Sequence, residues 1–225
     1  MTKHHPGSVT DALGNRHDYL PAAGHDLLLP TYDLLTRLLG STKMHAALIV
    51  QAELEAGQRV LEIGCGTGNL TIMAKRSQPA AEVTGSDPDP RALARAQRKA
   101  EDLTGIRFER AYAQELPYPD GSFDRVLSSL MLHHLDADVK TQAMQEVFRV
   151  LRPGGRLHIV DVAGDIHQHH GVLSRLMHRT GALEGNLGDR IPKLLRETGF
   201  ECDVLFAEPR RALGLLTYYR ATRPA

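Results

Sequence analysis

Cysteine is scarce in this chain of 225 residues, which holds only Cys65 and Cys202. Two thiols cannot make a disulfide framework and no Cys-x-x-Cys spacing occurs, so a reducing, cytoplasmic setting is expected. An excess of charge of either sign is also missing, since 27 Lys and Arg stand against 27 Asp and Glu. Without a global basic field there is nothing to draw in a phosphate backbone, and no nucleic-acid partner is expected. Long apolar runs are absent. None approaches the roughly 20 residues of a membrane span, and residues 1–10 lack the apolar stretch of a signal peptide, so stable membrane insertion is not expected. The hydrophobic share of 42% is enough for the core of one sizeable domain.

Against these absences stands one dense stretch, Val60-Leu61-Glu62-Ile63-Gly64-Cys65-Gly66-Thr67-Gly68-Asn69-Leu70. Val60, Leu61 and Ile63 have the apolar, partly β-branched character of a strand buried on both faces. The three glycines lack the Cβ atoms that would hold a ligand away from the backbone. Residues 67–76 then alternate apolar and polar positions at helical spacing. Strand, glycine turn and helix N-terminus together make a small-molecule cradle at the carboxyl end of a strand.

The rest of the chain alternates around this unit. Residues 1–24 read as irregular. Thr31 can cap a helix carrying Leu34, Leu35, Leu38 and Leu39 on one face, ended by Gly40, and Ser41 opens a second helix through about Glu55. These two helices, within residues 1–56, are expected to cover the cradle or simply to pack on the sheet, as part of one domain with the core over 57–225. Strands are expected at 82–86, 106–110, 123–129 and 156–162. Helices are expected at 90–102, 136–151, 172–177 and 189–198. In the helix over 136–151, Val139, Ala143, Val147 and Val150 form the inner face. Arg152-Pro153-Gly154-Gly155 reads as a sharp turn. Strands interleaved with helices of ten or more residues predict an α/β fold, a parallel sheet covered on both faces. The last two strands, 201–207 and 213–221, are too close for a crossover helix and must form an antiparallel edge hairpin, which brings the sheet to seven strands.

The ligand is narrowed by what the glycine turn is not. A dinucleotide fingerprint needs Gly-x-Gly-x-x-Gly, and Asn69 stands where its third glycine would fall; a phosphate-binding Walker loop needs a Lys that is missing. Asp87 sits about twenty residues beyond the turn at a strand end, where a carboxylate can accept both hydroxyls of a ribose. The same Asp could instead cap the helix that follows Pro88, Asp89 and Pro90.

These residues resemble the class I S-adenosylmethionine-dependent methyltransferases. The likeness extends through Leu116-Pro117-Tyr118, Gly121-Ser122-Phe123-Asp124, Met131-Leu132-His133-His134-Leu135 and Val150-Leu151-Arg152-Pro153-Gly154-Gly155, covering residues 59–162. Within that family the chain looks most like the small ubiquinone and menaquinone biosynthesis methyltransferases. The resemblance implies a Rossmann-like sheet, S-adenosylmethionine as cofactor, S-adenosylhomocysteine as product and a small-molecule acceptor. It implies that Gly64, Cys65 and Gly66 lie against the methionine part of the cofactor and that Glu62 holds its amino group, although a strand-end carboxylate can also be merely solvated. Asp87 would bind the ribose, Pro88 would pack on the adenine, and Ser128, Ser129 and Leu130 would line the methionine side. Where the family often has an adenine-reading Asp, this chain has Tyr112, which leaves the Ala113 backbone and the Gln114 amide for that contact.

The sulfonium already activates the methyl group, so the protein must mainly align the acceptor. An amine needs no base, whereas a hydroxyl or an acidic carbon does. His133 and His134 are the first candidates, with helix-start packing as their alternative. Tyr19 and His25 from the N-terminal cover are the second, and Tyr32 is an aromatic that could face the sulfonium. Cys65 has no His partner in the pattern and is not expected to be a nucleophile. His167, His169 and His170 beside Asp165 suggest a metal, but the spacing of a specific site is missing and no metal is expected. A protein or nucleic-acid methyltransferase and a non-catalytic S-adenosylmethionine-binding module are the competing readings.

Overall fold

The computed structural model describes residues 41–162, 188–210 and 214–225. Its elements in chain order are α1 (Ser41–Ala52), β1 (Arg59–Ile63), α2 (Asn69–Ser77), β2 (Glu82–Asp87), α3 (Pro90–Lys99), β3 (Ile106–Arg110), β4 (Phe123–Ser129), a 3-10 turn (Leu132–His134), α4 (Ala137–Val150), β5 (Leu151–Val162), α5 (Arg190–Glu197), β6 (Glu201–Arg210) and β7 (Gly214–Thr222). The helices expected around Leu34 and over 172–177 lie outside the described residues.

The seven strands form one sheet in the order β3-β2-β1-β4-β5-β7-β6. The first five pair in parallel. β7 lies between β5 and β6 and runs antiparallel to both. The expected hairpin is therefore present, and its second strand is the inner one. The chain steps outward from β1 through β2 to β3, then returns to lay β4 on the other side of β1. That reversal opens a crevice at the carboxyl ends of β1 and β4, the place where open α/β sheets bind ligands.

Alternation along the strands gives two cores. Leu61 and Ile63 of β1 join Val126, Leu157 and Ile159 under α4 and α5. Val60 joins Leu127, Val160 and Tyr218 under α1 and α2, with Met44 and Leu48 of α1 buried there. Both faces of the central strands are thus removed from water, which is why β1 carries Val60, Leu61 and Ile63 on both of its faces and β4 carries Val126 and Leu127 side by side.

The helix limits follow local chemistry. α1 stops at Ala52, since Glu53 has left-handed backbone (φ +48°). α2 starts at Asn69 rather than Thr67, because Gly68 just before it is itself left-handed (φ +78°). α3 starts at Pro90 with Asp89 accepting from the Arg91 and Ala92 amides, a side-chain cap of the usual kind. On α4 the buried face is Lys140, Ala143, Met144, Val147 and Val150, with Val139 only half-buried. Both this stripe and the expected one obey three-four spacing, so periodicity alone could not choose between them. The turn at 152–155 is a bulge within β5: Leu151 pairs with Phe123 and Arg156 with Arg125, so four residues of β5 oppose only Asp124. The Arg223 guanidinium beyond β7 donates to the carbonyls of Phe148, Arg149 and Leu151, which closes the C-terminal end of α4.

Gly68 is a tight point of this frame, walled by a helix methyl and an aromatic ring. A Cβ there would stand 2.8 Å from the Ala96 Cβ and 2.8 Å from a Phe108 ring carbon, at a φ of +78°. Gly68→Ala is expected to lower unfolding free energy by about 3 kcal/mol in urea titration, from left-handed strain and overpacking together. An unchanged midpoint would show that the turn has slack.

Candidate active site

The crevice begins where β1 runs out. Gly64, Gly66 and Gly68 all have positive φ, at +67°, +51° and +78°. The turn they make is pinned by the Cys65 amide on the Ser86 carbonyl (3.0 Å) and the Gly68 amide on the Cys65 carbonyl (2.8 Å). The spaces left by two of the missing Cβ atoms are filled by the protein's own side chains: Met131 packs against Gly64, and Ala96 and Phe108 against Gly68. Bare backbone at Gly64 therefore lets the segment after β4 close against the turn.

The Gly66 amide points at β2 and donates to Asp87 Oδ2 at 2.7 Å, while Asp87 Oδ1 accepts from the Asp89 amide at 2.9 Å. Since Asp89 caps α3, Asp87 is left free of that task. Burial raises its carboxyl from the ordinary 3.8 to about 6, against the pull of those two amides. Glu62, near the end of β1, is 3% exposed and accepts a hydrogen bond from the Thr71 hydroxyl on α2. Burial pushes it from 4.5 to about 8, with the Thr71 bond opposing and the Asp87 charge adding to the rise. The Lys99 ammonium, at the end of α3, donates to Asn69 Oδ1 (2.6 Å) and Thr67 Oγ1 (3.2 Å). It straps the start of α2 down and partly offsets the Glu62 charge. The Cys65 thiol is buried in this acidic setting, and burial with Glu62 and Asp87 nearby pushes it well up, the opposite of an activated nucleophile.

Across the crevice β4 ends in Ser128 and Ser129. The Ser128 hydroxyl is buried and has no hydrogen-bond partner among the described residues. Leu130 follows with left-handed backbone (φ +52°), held by its amide on the Val160 carbonyl at 2.9 Å. A leucine in that region is strained, and such strain gathers at functional sites. It turns the chain into the 3-10 turn that carries His133 and His134, whose rings lie 3.9 Å apart between centroids. His133 is buried and its Nδ1 meets Asp161 Oδ1 at 2.7 Å; His134 is exposed. Pro88 is half-buried, with its carbonyl accepting from Arg110. Ala113 and Gln114, both half-buried, form the tight turn across which Tyr112 bridges to Glu115, and Ala113 packs on the α4-side core.

The structure thus brings Glu62, Gly64, Cys65, Gly66, Asp87 and Pro88 around one turn, and Ser128, Ser129, Leu130, His133 and His134 along the segment that follows β4. Tyr19, His25, Tyr32, His167, His169 and His170 lie outside the described residues. Among the described residues no three His, Cys, Asp or Glu side chains gather as metal ligands. Three partners escaped the sequence reading. Thr71 and Lys99 are helix residues whose reach into the turn only packing reveals. Asp161 carried a signal, an acid closing an apolar strand, that matched the logic already applied to Asp87. The donor set suits a ligand with a cationic head near Glu62 and adjacent hydroxyls near Asp87, the features expected of S-adenosylmethionine. The Ser128 hydroxyl on the adjoining strand is a buried polar atom without a partner among the described residues.

Comparison with known proteins agrees. A family model described as a methyltransferase domain matches residues 60–155. A demethylmenaquinone methyltransferase of Deinococcus radiodurans is 36% identical over 204 residues, 86% of this chain and 84% of that protein. One from Thermus thermophilus is 38% identical over 171 residues, covering 72% of this chain and 77% of that protein. A solved structure of an S-adenosylmethionine-dependent methyltransferase from Methanosarcina mazei shares the fold with a TM-score of 0.64 and 24% identity, over 78% of this chain and 97% of that one.

The buried carboxyls give a pH signature in the ligand-free protein. Native Glu62 keeps its proton to about pH 8, whereas an unfolded glutamate loses it near 4.5. Between those values the native state binds more protons, so stability is full below the window and falls as pH rises through it, by up to about 1.4 kcal/mol per pH unit. Asp87 adds to the fall between 3.8 and about 6. Glu62→Gln is expected to flatten the loss between pH 6 and 8 by about 2 kcal/mol in urea unfolding. Parallel profiles for the two proteins would contradict the burial argument.

Proposed function

The chain belongs to the class I S-adenosylmethionine-dependent methyltransferases of the ubiquinone and menaquinone type, and from that premise we propose the roles of its residues in moving a methyl group to a small-molecule acceptor. The observation that carries the assignment is the pair of buried carboxyls, Glu62 and Asp87, at the carboxyl ends of adjacent strands on either side of the glycine turn. Glu62 takes the amino group of the cofactor, and a cation there offsets the burial that raises its carboxyl. Asp87 takes the ribose hydroxyls while the Gly66 amide holds its other side. Gly64, Cys65 and Gly66 lie along the methionine part, with Ser128, Ser129 and Leu130 opposite. Pro88, the Ala113 backbone and Gln114 receive the adenine.

When bound, S-adenosylmethionine supplies a methyl group already activated on a sulfonium. What the chain adds is alignment of the acceptor in line with the carbon–sulfur bond, an orientation effect that can supply much of the rate. His133 and His134 are the proton-accepting candidates that follow β4, and Tyr19, His25 and Tyr32 remain the candidates drawn from the sequence of the N-terminal segment. The two curated relatives are named for demethylmenaquinone, a small molecule, which supports the same acceptor class here. Division of the chain into a cover over 1–56 and a core over 57–225, parts of one domain, belongs to this proposal; the packing of α1 against the sheet beside α2 supports it. So does a cytoplasmic location. No helix among the described residues is long and apolar enough to cross a membrane, and both cysteines are free.

Titration calorimetry with S-adenosylhomocysteine tests the assignment. The wild-type protein is expected to bind, and Asp87→Ala to bind about 10- to 100-fold more weakly, the worth of hydrogen bonds to a charged acceptor. No binding by the wild type, or equal binding by the variant, would overturn it.

A further inference from the structure

The two carboxyls of the cradle are served unequally. Backbone amides donate to both oxygens of Asp87. The donor to Glu62 is a single side chain, the Thr71 hydroxyl. The Lys99 charge reaches Glu62 only through space, while its N–H bonds go to Asn69 and Thr67. The surroundings of Glu62 are also dry. Its register partner on β2 is Gly85, and a Cβ there would stand 2.8 Å from a Phe108 ring carbon, 2.9 Å from Thr71 Oγ1 and 3.0 Å from Cys65 Sγ. Ring, hydroxyl and thiol therefore close the floor beside Glu62. Two acids at adjacent strand ends in such a corner do not ionise with equal ease, and the one with two amides goes first. Glu62 is left to hold its proton. A hydroxyl accepts as well as donates, so Thr71 can serve the carboxyl in either state.

We propose that cofactor loading is coupled to proton release at Glu62: the ligand-free protein carries the proton there at neutral pH and gives it up to water as the cofactor ammonium arrives, so loading strengthens as pH rises through neutrality. The inference rests on the methyl-transfer reading above, in which that ammonium sits at Glu62. The exchange balances, since a carboxylic acid and an ammonium become a carboxylate, the same ammonium and one proton in solution. The sign follows from the binding form. Only the carboxylate pairs with the ammonium, and burial holds the ligand-free carboxyl at about 8. Below that value the proton must leave first, which weakens binding by up to about tenfold per pH unit. The titratable and charged groups that face Glu62 are Asp87 on β2, Cys65 in the turn and Lys99 on α3; Thr71 on α2 and Leu127 on β4 bring no charge. Asp87, at about 6, is already ionised over most of the neutral range and adds little to the release there.

The test is titration calorimetry of the full chain with S-adenosylhomocysteine at pH 7, in phosphate and in imidazole buffer. The change of binding heat with the ionisation heat of the buffer counts the protons released. The wild type is expected to release about 0.8 proton, a whole proton from Glu62 being reduced by the ligand's own amino group, which titrates near about 7.8. Its affinity is expected to rise about fivefold between pH 6.5 and 7.5. Glu62→Gln cannot release that proton. Its count is expected to fall below about 0.2, and its Kd to stay within about twofold over the same range and to approach the wild-type value at pH 6.5. Binding by the wild type with a count below about 0.2 overturns the coupling and leaves the methyl-transfer reading standing, and this holds even if the variant does not fold. An equal count for the two proteins assigns the proton elsewhere and also overturns it. No binding by the wild type at any pH overturns both the coupling and the reading beneath it.

Discussion

The hydrogen bond from the Gly66 amide to the Asp87 carboxylate joins the turn after the first strand to the end of the second. Much of the site depends on it. For the amide to point at β2, Gly66 must sit at positive φ, and the flanking Gly64 and Gly68 do the same. For Asp87 to be available, something else must cap α3, and Asp89 does so. For the turn to lie close to the returning chain, Gly64 must have no side chain, and Met131 occupies the room. One short contact therefore couples three glycines, two aspartates and the segment beyond β4.

That contact also carries a cost. Asp87, Glu62 and Asp89 crowd carboxyls into a buried corner, where desolvation opposes charge. The fold compensates with amides from Gly66 and Asp89, the Thr71 hydroxyl and the nearby Lys99 ammonium. The residual is an acidic cradle that gains from a cationic ligand, and a cofactor with an ammonium and a sulfonium supplies that charge. The same surroundings push the Cys65 thiol away from reactivity, so a cysteine at a helix start is here a small packed side chain.

The second half of the sheet has a different task. β5, bulged at 152–155 and flanked by the antiparallel β7, delivers Asp161 to the same end of the sheet as Asp87 but beyond β4. The two halves of the sheet thus have parallel designs. In each, a strand-end carboxylate takes backbone amides and ties down a neighbouring segment: the glycine turn on one side, the turn bearing His133 on the other.

The sequence by itself determined the alternation of strands and helices, the hairpin at the end, the glycine turn and the family. Each is written in local pattern: apolar runs of strand length, glycines at a fixed offset, an acid at a strand end. The order of motifs along residues 59–162 made the cofactor legible without coordinates. Tertiary structure alone decided between equally periodic alternatives. It chose Lys140 and Met144 over Val139 for the buried face of α4, because packing selects among stripes that spacing permits. It assigned the helix cap to Asp89 and so released Asp87, a choice between acids two residues apart. It also paired His133 with Asp161 across 28 positions, since a carboxylate and an imidazole acquire a joint role only when strand order brings their segments to one end of the sheet.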